Sequence, residues 1–202
     1  QQPKALAPLW DQLITSSDPN IRAAAVEALL TIDKKRGVKE ALKFAESSNL
    51  RDVQNAYRLL APVKDGQAVN LFADGLENLD KIKPGAKLDL LEGAAKRTEK
   101  EVVTALAAYN ASLDPADPMA PFLPTLTGGD VESGKTIFLT HAAGQCAKCH
   151  KVGGSGPEAG PDLAGIGARS DRKYILESLV NPSAIVVPGY GLTLVTLKKE
   201  KK

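Results

Sequence analysis

QCAKCH, residues 145–150, holds both cysteines and one of the two histidines of this 202-residue chain. Its reading decides what the second half of the chain must build. Two cysteines separated by two residues close too small a loop for a disulfide to stabilise much. The pair therefore speaks to local chemistry rather than to stapling.

Three chemistries use such spacing. A thioredoxin-like redox centre sets CxxC at the start of a helix that follows a strand. Here the preceding residues read as helix and then as a glycine-containing turn. A structural zinc site needs four ligands, commonly two separated pairs. Beyond the motif only His141 remains as a nitrogen ligand. The third is covalent haem, for which CxxCH is the c-type attachment signal. Two thiols about one turn apart reach the two vinyl groups on one porphyrin edge. The adjacent histidine then supplies the proximal iron ligand. The motif thus selects Cys146, Cys149 and His150 as the attachment set.

Outward from the motif, the chain changes character. Asp130 is a good N-cap, and Val131, Gly134, Ile137 and Phe138 fall on one side of a helix. A second short helix is expected near Arg172–Val180, followed by an extended tail with alternating Leu192, Leu194 and Thr196. Residues 113–129, LDPADPMAPFLPTLTGG, carry four prolines and two glycines. They read as a linker or extended strap. Residues 1–112 read as short amphipathic helices. Asp18-Pro19 opens one, with Ile21, Ala25, Ala28 and Ile32 expected on its inner face. Asn49 caps another, with Val53, Tyr57 and Leu60 inward. Lys83-Pro84 opens a third, with Leu88, Leu91 and Ala95 inward. Partner helices are expected over 4–16, 37–47, 66–79 and 99–112, with breaks at Gly37, Gly66 and Gly85. The openers recur 31 and 34 residues apart, a spacing found in helical-pair repeats. Lys34-Lys35-Arg36 and Lys96-Arg97 are expected as solvated helix ends.

Composition narrows the functional class. Hydrophobic residues make up 43% of the chain, enough for a packed core. A formal net charge of +2 gives no case for a nucleic-acid partner. No run of about 18 apolar residues is present, so no transmembrane helix is expected. No catalytic acid, base or nucleophile stands out, and an enzyme is not expected.

Two resemblances sharpen this picture. The stretch GDVESGKTIFLTHAAGQCAKCHKVGGSGPEAGPDLAGIGAR, residues 129–169, resembles the haem-binding half of a class I cytochrome c. GDVESGKTIF looks like that family's N-terminal helix, and Gly160-Pro161-Asp162-Leu163-Ala164-Gly165 looks like its loop after the haem motif. The resemblance implies one haem c held through two thioether bonds, with His150 on the iron. It implies that the Pro161 carbonyl accepts the other ring N–H of His150, which fixes the tautomer. It implies further that Leu163 packs on the porphyrin and that Arg169 reaches a propionate. The segment SDPNIRAAAVEAL, residues 17–29, resembles the second helix of a HEAT repeat. With VNPSAIVVPGY, residues 180–190, the combination is similar to the multidomain haem-binding proteins of planctomycete and verrucomicrobial bacteria.

The expected architecture is therefore mainly α: HEAT-like helical pairs over 1–112, a linker over 113–129, and a class I cytochrome c-like haem domain over 130–202. The implied function is one-electron transfer with a redox partner protein in a periplasmic chain, the protein being exported without a visible signal peptide. Lys148 and Lys151 flank the expected haem edge, where they can orient an acidic partner. The family's sixth ligand is often methionine after a Pro-Gly pair, but Pro188-Gly189-Tyr190-Gly191-Leu192 offers leucine. Met119, the sole methionine, and His141 are the alternatives, with Lys198, Lys199, Lys201 and Lys202 more remote. The family's last helix is also not seen after Leu194. The haem domain thus reads as truncated at its C-terminus, or as completed by another chain, or as complete with an open iron position. An open position implies a haem-based sensor or small-ligand binder, and a truncated one a fragment of a larger haem-containing dehydrogenase.

Overall fold

A computed structural model describes residues 7–154, 156–191 and 194–196. The protein is mainly α, with no strand among the described residues. The chain divides into two compact units. One comprises Gln1–Pro115 and Leu123–Gly128; the other comprises Ala116–Phe122 and Gly129–Lys202.

The first unit holds seven helices: α1 Ala7–Ile14, α2 Pro19–Ile32, α3 Lys34–Ala45, α4 Leu50–Leu60, α5 Gly66–Glu77, α6 Lys87–Ala94 and α7 Lys100–Ser112. Their starts are local chemistry. Asp18, Asp33, Asn49 and Asp65 each place a side-chain oxygen on a backbone N–H of the first turn. Pro19 occupies the first helical position, where its missing N–H costs nothing. Each helix packs on the next from α1 to α4 and again from α5 to α7, and α2, α4 and α6 pack on one another in order, as do α3, α5 and α7. Side chains join one pair to the next at separations of 30 to 37 residues. Arg22 grips Asp52 with two nitrogens, at 2.7 and 3.2 Å to Oδ1; Gln54 donates to the Gly85 carbonyl; Arg97 donates to the Leu60 carbonyl.

The buried faces match the expected ones in part. Val53, Tyr57 and Leu60 do face inward. On α2, Ala25 is buried as expected and Ala28 half-buried, but Ile21 and Ile32 are exposed, and Ala23, Val26 and Leu29 complete the buried set. On α6 the fully buried side chains are Leu90 and Ala94; Leu91 packs half-buried against the core as expected, Leu88 is half-buried, and Ala95 is exposed. Both helices carry apolar residues on more than one side, so periodicity alone leaves the face ambiguous. Close approach settles it. On α6, Gly93 faces Phe72, and a Cβ at Gly93 would sit 2.6 Å from the Phe72 ring.

Gly37 is no break; it lies inside α3 and is buried. A Cβ there would stand 2.5 Å from Leu30 N, 2.7 Å from Leu30 Cα and 2.8 Å from Leu29 C. These are backbone atoms of α2 and cannot rotate away. Gly37→Ala gains up to about 1 kcal/mol of helix propensity, but forced overpacking costs about 1–3 kcal/mol. A fall in the urea midpoint is the expected result, and an unchanged midpoint would show that α2 and α3 can part freely.

Arg97, expected at a solvated helix end, is 6% exposed. The proline-rich stretch does not run extended throughout: Ala120–Leu126 coils as a 3-10 helix with Pro124 inside it.

The second unit holds α8 Val131–Thr140, a 3-10 turn at Cys146–Lys148, α9 Ile166–Arg169 and α10 Arg172–Val180. Asp130 caps α8 by accepting the Ser133 N–H, as expected from its sequence. No residue of α8 is buried; Val131 and Ile137 of the expected apolar side are exposed, and Phe138 is half-buried. Of the extended tail expected with Leu192, Leu194 and Thr196, Leu192 lies outside the described residues, as do Lys198, Lys199, Lys201 and Lys202. No described helix is long and apolar enough to cross a membrane.

Candidate functional site

The end of α8 delivers the chain to the motif. His141 caps α8 by donating its N–H to Ile137 O. Gln145 then turns left-handed, at φ 48 and ψ 29, the sole non-glycine residue with positive φ among those described. That conformation costs about 1–2 kcal/mol for a residue with a Cβ, so neighbouring bonds must hold it. Cys146 follows at once and opens a single 3-10 turn, closed by the N–H groups of Cys149 and His150 on Cys146 O. Both thiols are free and lie one turn apart; Cys146 is half-buried and Cys149 exposed.

His150 is held by a short clamp. Gly160 N–H donates to Cys149 O at 2.7 Å, and Leu163 N–H donates to Lys151 O at 3.0 Å. These two backbone bonds straddle His150 and lay residues 160–163 alongside 149–151. Between them, His150 Nδ1 meets Pro161 O at 2.8 Å. A carbonyl oxygen only accepts, so Nδ1 carries the hydrogen. The other nitrogen, Nε2, is left with its lone pair and can ligate a metal. Gly160 is buried against the ring: a Cβ there would fall 2.8 Å from His150 Cε1 and 2.9 Å from Nδ1.

Arg169 braces the same loop. Its guanidinium donates to Ala164 O, and to Asp162 O at 3.1 Å. Asp162 in turn accepts the Ala164 N–H. Leu163 is half-buried. Lys151 pairs with Glu158 at 2.9 Å, which holds its pKa above the usual lysine range, while Lys148 stays exposed. Met119 is buried, its N–H bound to Asp117 Oδ1. His141 is exposed and stands beside Gly144 and Cys146.

The donor set tests the three chemistries. Among the described residues no three His, Cys, Asp or Glu side chains converge to hold a bare metal ion. The CxxC pair follows a helix and a left-handed turn, not a strand. Two free thiols on one turn, a histidine with a fixed tautomer, and exposed apolar side chains such as Ile137, Leu139, Val152 and Val187 suit a flat hydrophobic ring with an iron centre.

Residues 131–193 match the family model of cytochrome c. The match supports a c-type cytochrome domain over the unit that carries the motif. The cytochrome c family binds haem c covalently, and Cys146 and Cys149 are consistent with its CxxCH-type site. Such a domain is an electron carrier and generally not an enzyme. Searches of the curated proteins and of the solved structures found no match.

A larger groove lies elsewhere, on the helical unit. It encloses about 1040 Å³ between α5 and α7 and is edged by Asp74, Glu77, Asp80 and Glu101. None of its lining residues is a cysteine or histidine, so the volume and the chemistry are in different places.

Three features of the site escaped sequence reasoning. Gly160 was read only as part of the 160–165 loop, and its close approach to the His150 ring went unseen. The loop-bracing bonds of Arg169 had no sequence signal, and nothing in QCAKCH marks a left-handed glutamine, since Gly and Asn are the usual occupants.

Proposed function

We propose that the protein is an exported, periplasmic c-type cytochrome that passes single electrons to a redox partner protein. The observation that carries this reading is the His150 Nδ1 to Pro161 O bond beside two free thiols on one turn. Bound haem c supplies a one-electron iron couple. The chain's own part is to hold and tune it. Cys146 and Cys149 fix the ring edge, and His150 Nε2 faces the iron. Pro161 O makes the imidazole more basic, while Leu163 covers apolar ring surface. Arg169 keeps the 162–165 loop closed, with guanidinium N–H groups to spare for a propionate. Exposed Lys148 offers the positive charge for an acidic partner.

Residues 1–112 act as a HEAT-like scaffold in this proposal, supported by the regular 30-to-37-residue reach of Arg22, Gln54 and Arg97. The likeness of residues 180–190 to the planctomycete and verrucomicrobial haem-binding proteins belongs to the same reading. Met119 is the side chain proposed for the sixth position.

Intact mass after expression with haem-maturation machinery should show one haem per chain. Absence of that mass increment would end the proposal. The reduced spectrum with and without carbon monoxide then separates carrier from gas binder. A six-coordinate iron that takes up carbon monoxide slowly or incompletely is expected, and immediate complete binding would favour a sensor.

A further inference from the structure

His141 makes three hydrogen bonds that tie the end of α8 to the turn leading into the attachment motif. Its N–H donates to Ile137 O and ends α8. Its carbonyl accepts the Gln145 N–H at 3.0 Å. Its ring Nδ1 accepts the Gly144 N–H, also at 3.0 Å. The third bond assigns the tautomer: Nδ1 is the acceptor, so the neutral ring carries its hydrogen on Nε2. A Cβ at Gly144 would lie 3.3 Å from His141 Nδ1 and 3.7 Å from Cys146 Sγ. Ring, glycine and first thiol are thus packed together.

Gln145 sits inside this bracket in its left-handed conformation. Its side chain donates to Ala142 O at 2.8 Å, and its carbonyl accepts the Lys148 N–H at 2.9 Å. The left-handed residue sets the direction in which Cys146 leaves the turn. Without the imidazole acceptor, the Gly144 N–H loses its partner, and glycine can relax to many conformations.

We infer that His141 is a positioning residue for haem attachment: its Nδ1 locks the Gly144–Gln145 turn and so places the Cys146 thiol one turn from Cys149. This rests on the haem reading of the same site. The role requires an acceptor one atom beyond Cγ. Asparagine Oδ1 occupies that place; leucine fills similar space with no acceptor; glutamine puts its oxygen one carbon too far.

The test is a set of three variants, His141→Asn, His141→Leu and His141→Gln, in the full chain expressed with haem-maturation machinery. Intact mass reads the fraction of chains bearing haem. His141→Asn should stay within about two-fold of wild type, while His141→Leu and His141→Gln lose about ten-fold, the lower end for outer support of a metal site. A second measurement uses haem-free chain: the ratio of iodoacetamide labelling at Cys146 to that at Cys149. That ratio should shift in His141→Leu and return in His141→Asn. Full attachment in His141→Leu overturns the inference. So does an asparagine variant as deficient as leucine, the pattern expected of an iron ligand. If wild type takes no haem, the haem reading has failed. The labelling ratio still decides this inference, and an unchanged ratio in His141→Leu overturns it.

Discussion

Gly160→Ala is expected to leave haem attachment intact while breaking the proximal ligation. The cysteines are untouched, so intact mass should still show the haem. The new methyl, however, falls 2.8 Å from His150 Cε1, 2.9 Å from Nδ1 and 3.2 Å from Cys149 O. Ordinary carbon contacts stand near 3.5–4.0 Å, so something must move by more than half an ångström. The Cys149 carbonyl is fixed by the Gly160 N–H at 2.7 Å, and the backbone on that side cannot yield cheaply. The ring is the softer element. Turning it breaks the bond to Pro161 O and swings Nε2 off its axis. Loss of such outer support typically costs about 10- to 100-fold in metal-site affinity or activity. A high-spin spectrum with rapid carbon monoxide binding is the expected signature. Gly167→Ala is the matched control, because nothing lies within 4 Å of a Cβ there. A Gly160→Ala spectrum superimposable on wild type would mean that the loop does not seat His150.

The contrast between Gly160 and Gly37 shows what a sequence carries about such positions. Both residues were visible as glycines, and one was taken for a helix break. Glycine is read from sequence as freedom, yet neither of these two has a positive φ; both are needed for space. Space is a property of what stands opposite, which comes from residues far along the chain. Caps are different. Asp18, Asn49 and Asp130 act on N–H groups two or three residues away, so their roles were legible locally. The CxxCH chemistry was legible for the same reason, being contained in five residues. His150 and Pro161 are eleven residues apart, and their bond was foreseen only through resemblance to a known loop. The inner faces of α2 and α6 were only partly placed, Ala25 and Leu91 lying inward but Ile21, Ile32 and Ala95 outward, because alanine and leucine occur on more than one side of each helix. There the choice falls to Arg22 meeting Asp52 and to Gly93 meeting Phe72.

Arg97 is the strongest instance of a role that only the fold reveals, and Arg97→Ala should cost about 1–3 kcal/mol, the usual penalty for leaving buried hydrogen-bonding groups without a partner. Its side chain is 1% exposed. One terminal nitrogen donates to Leu60 O at 2.8 Å and to Ala61 O at 3.3 Å; the other donates to Val63 O at 3.1 Å and to Glu99 at 2.8 Å. The cation thus covers the carbonyl end of α4, where positive charge is favoured. Its Cζ also lies 5.0 Å from the Phe72 ring centroid. Alanine removes all of this at once and leaves the Leu60, Ala61 and Val63 carbonyls without this donor, while Glu99, partly exposed, keeps its backbone N–H partners. Arg97→Lys keeps the charge but lacks the planar fork, so it should recover only part of the loss. Acid gives an independent check. Glu99 is held below the usual carboxylate range, first by its own backbone N–H and then by Arg97. A depressed carboxyl stabilises the fold above its unfolded pKa and loses that contribution as pH falls through the folded pKa. Wild type should therefore lose stability more steeply on acidification than Arg97→Ala, in which the backbone contribution alone survives. Urea midpoints measured from neutral pH down through the carboxylate range read both effects. Equal midpoints for wild type and Arg97→Ala at neutral pH would show that the buried guanidinium is replaceable by water.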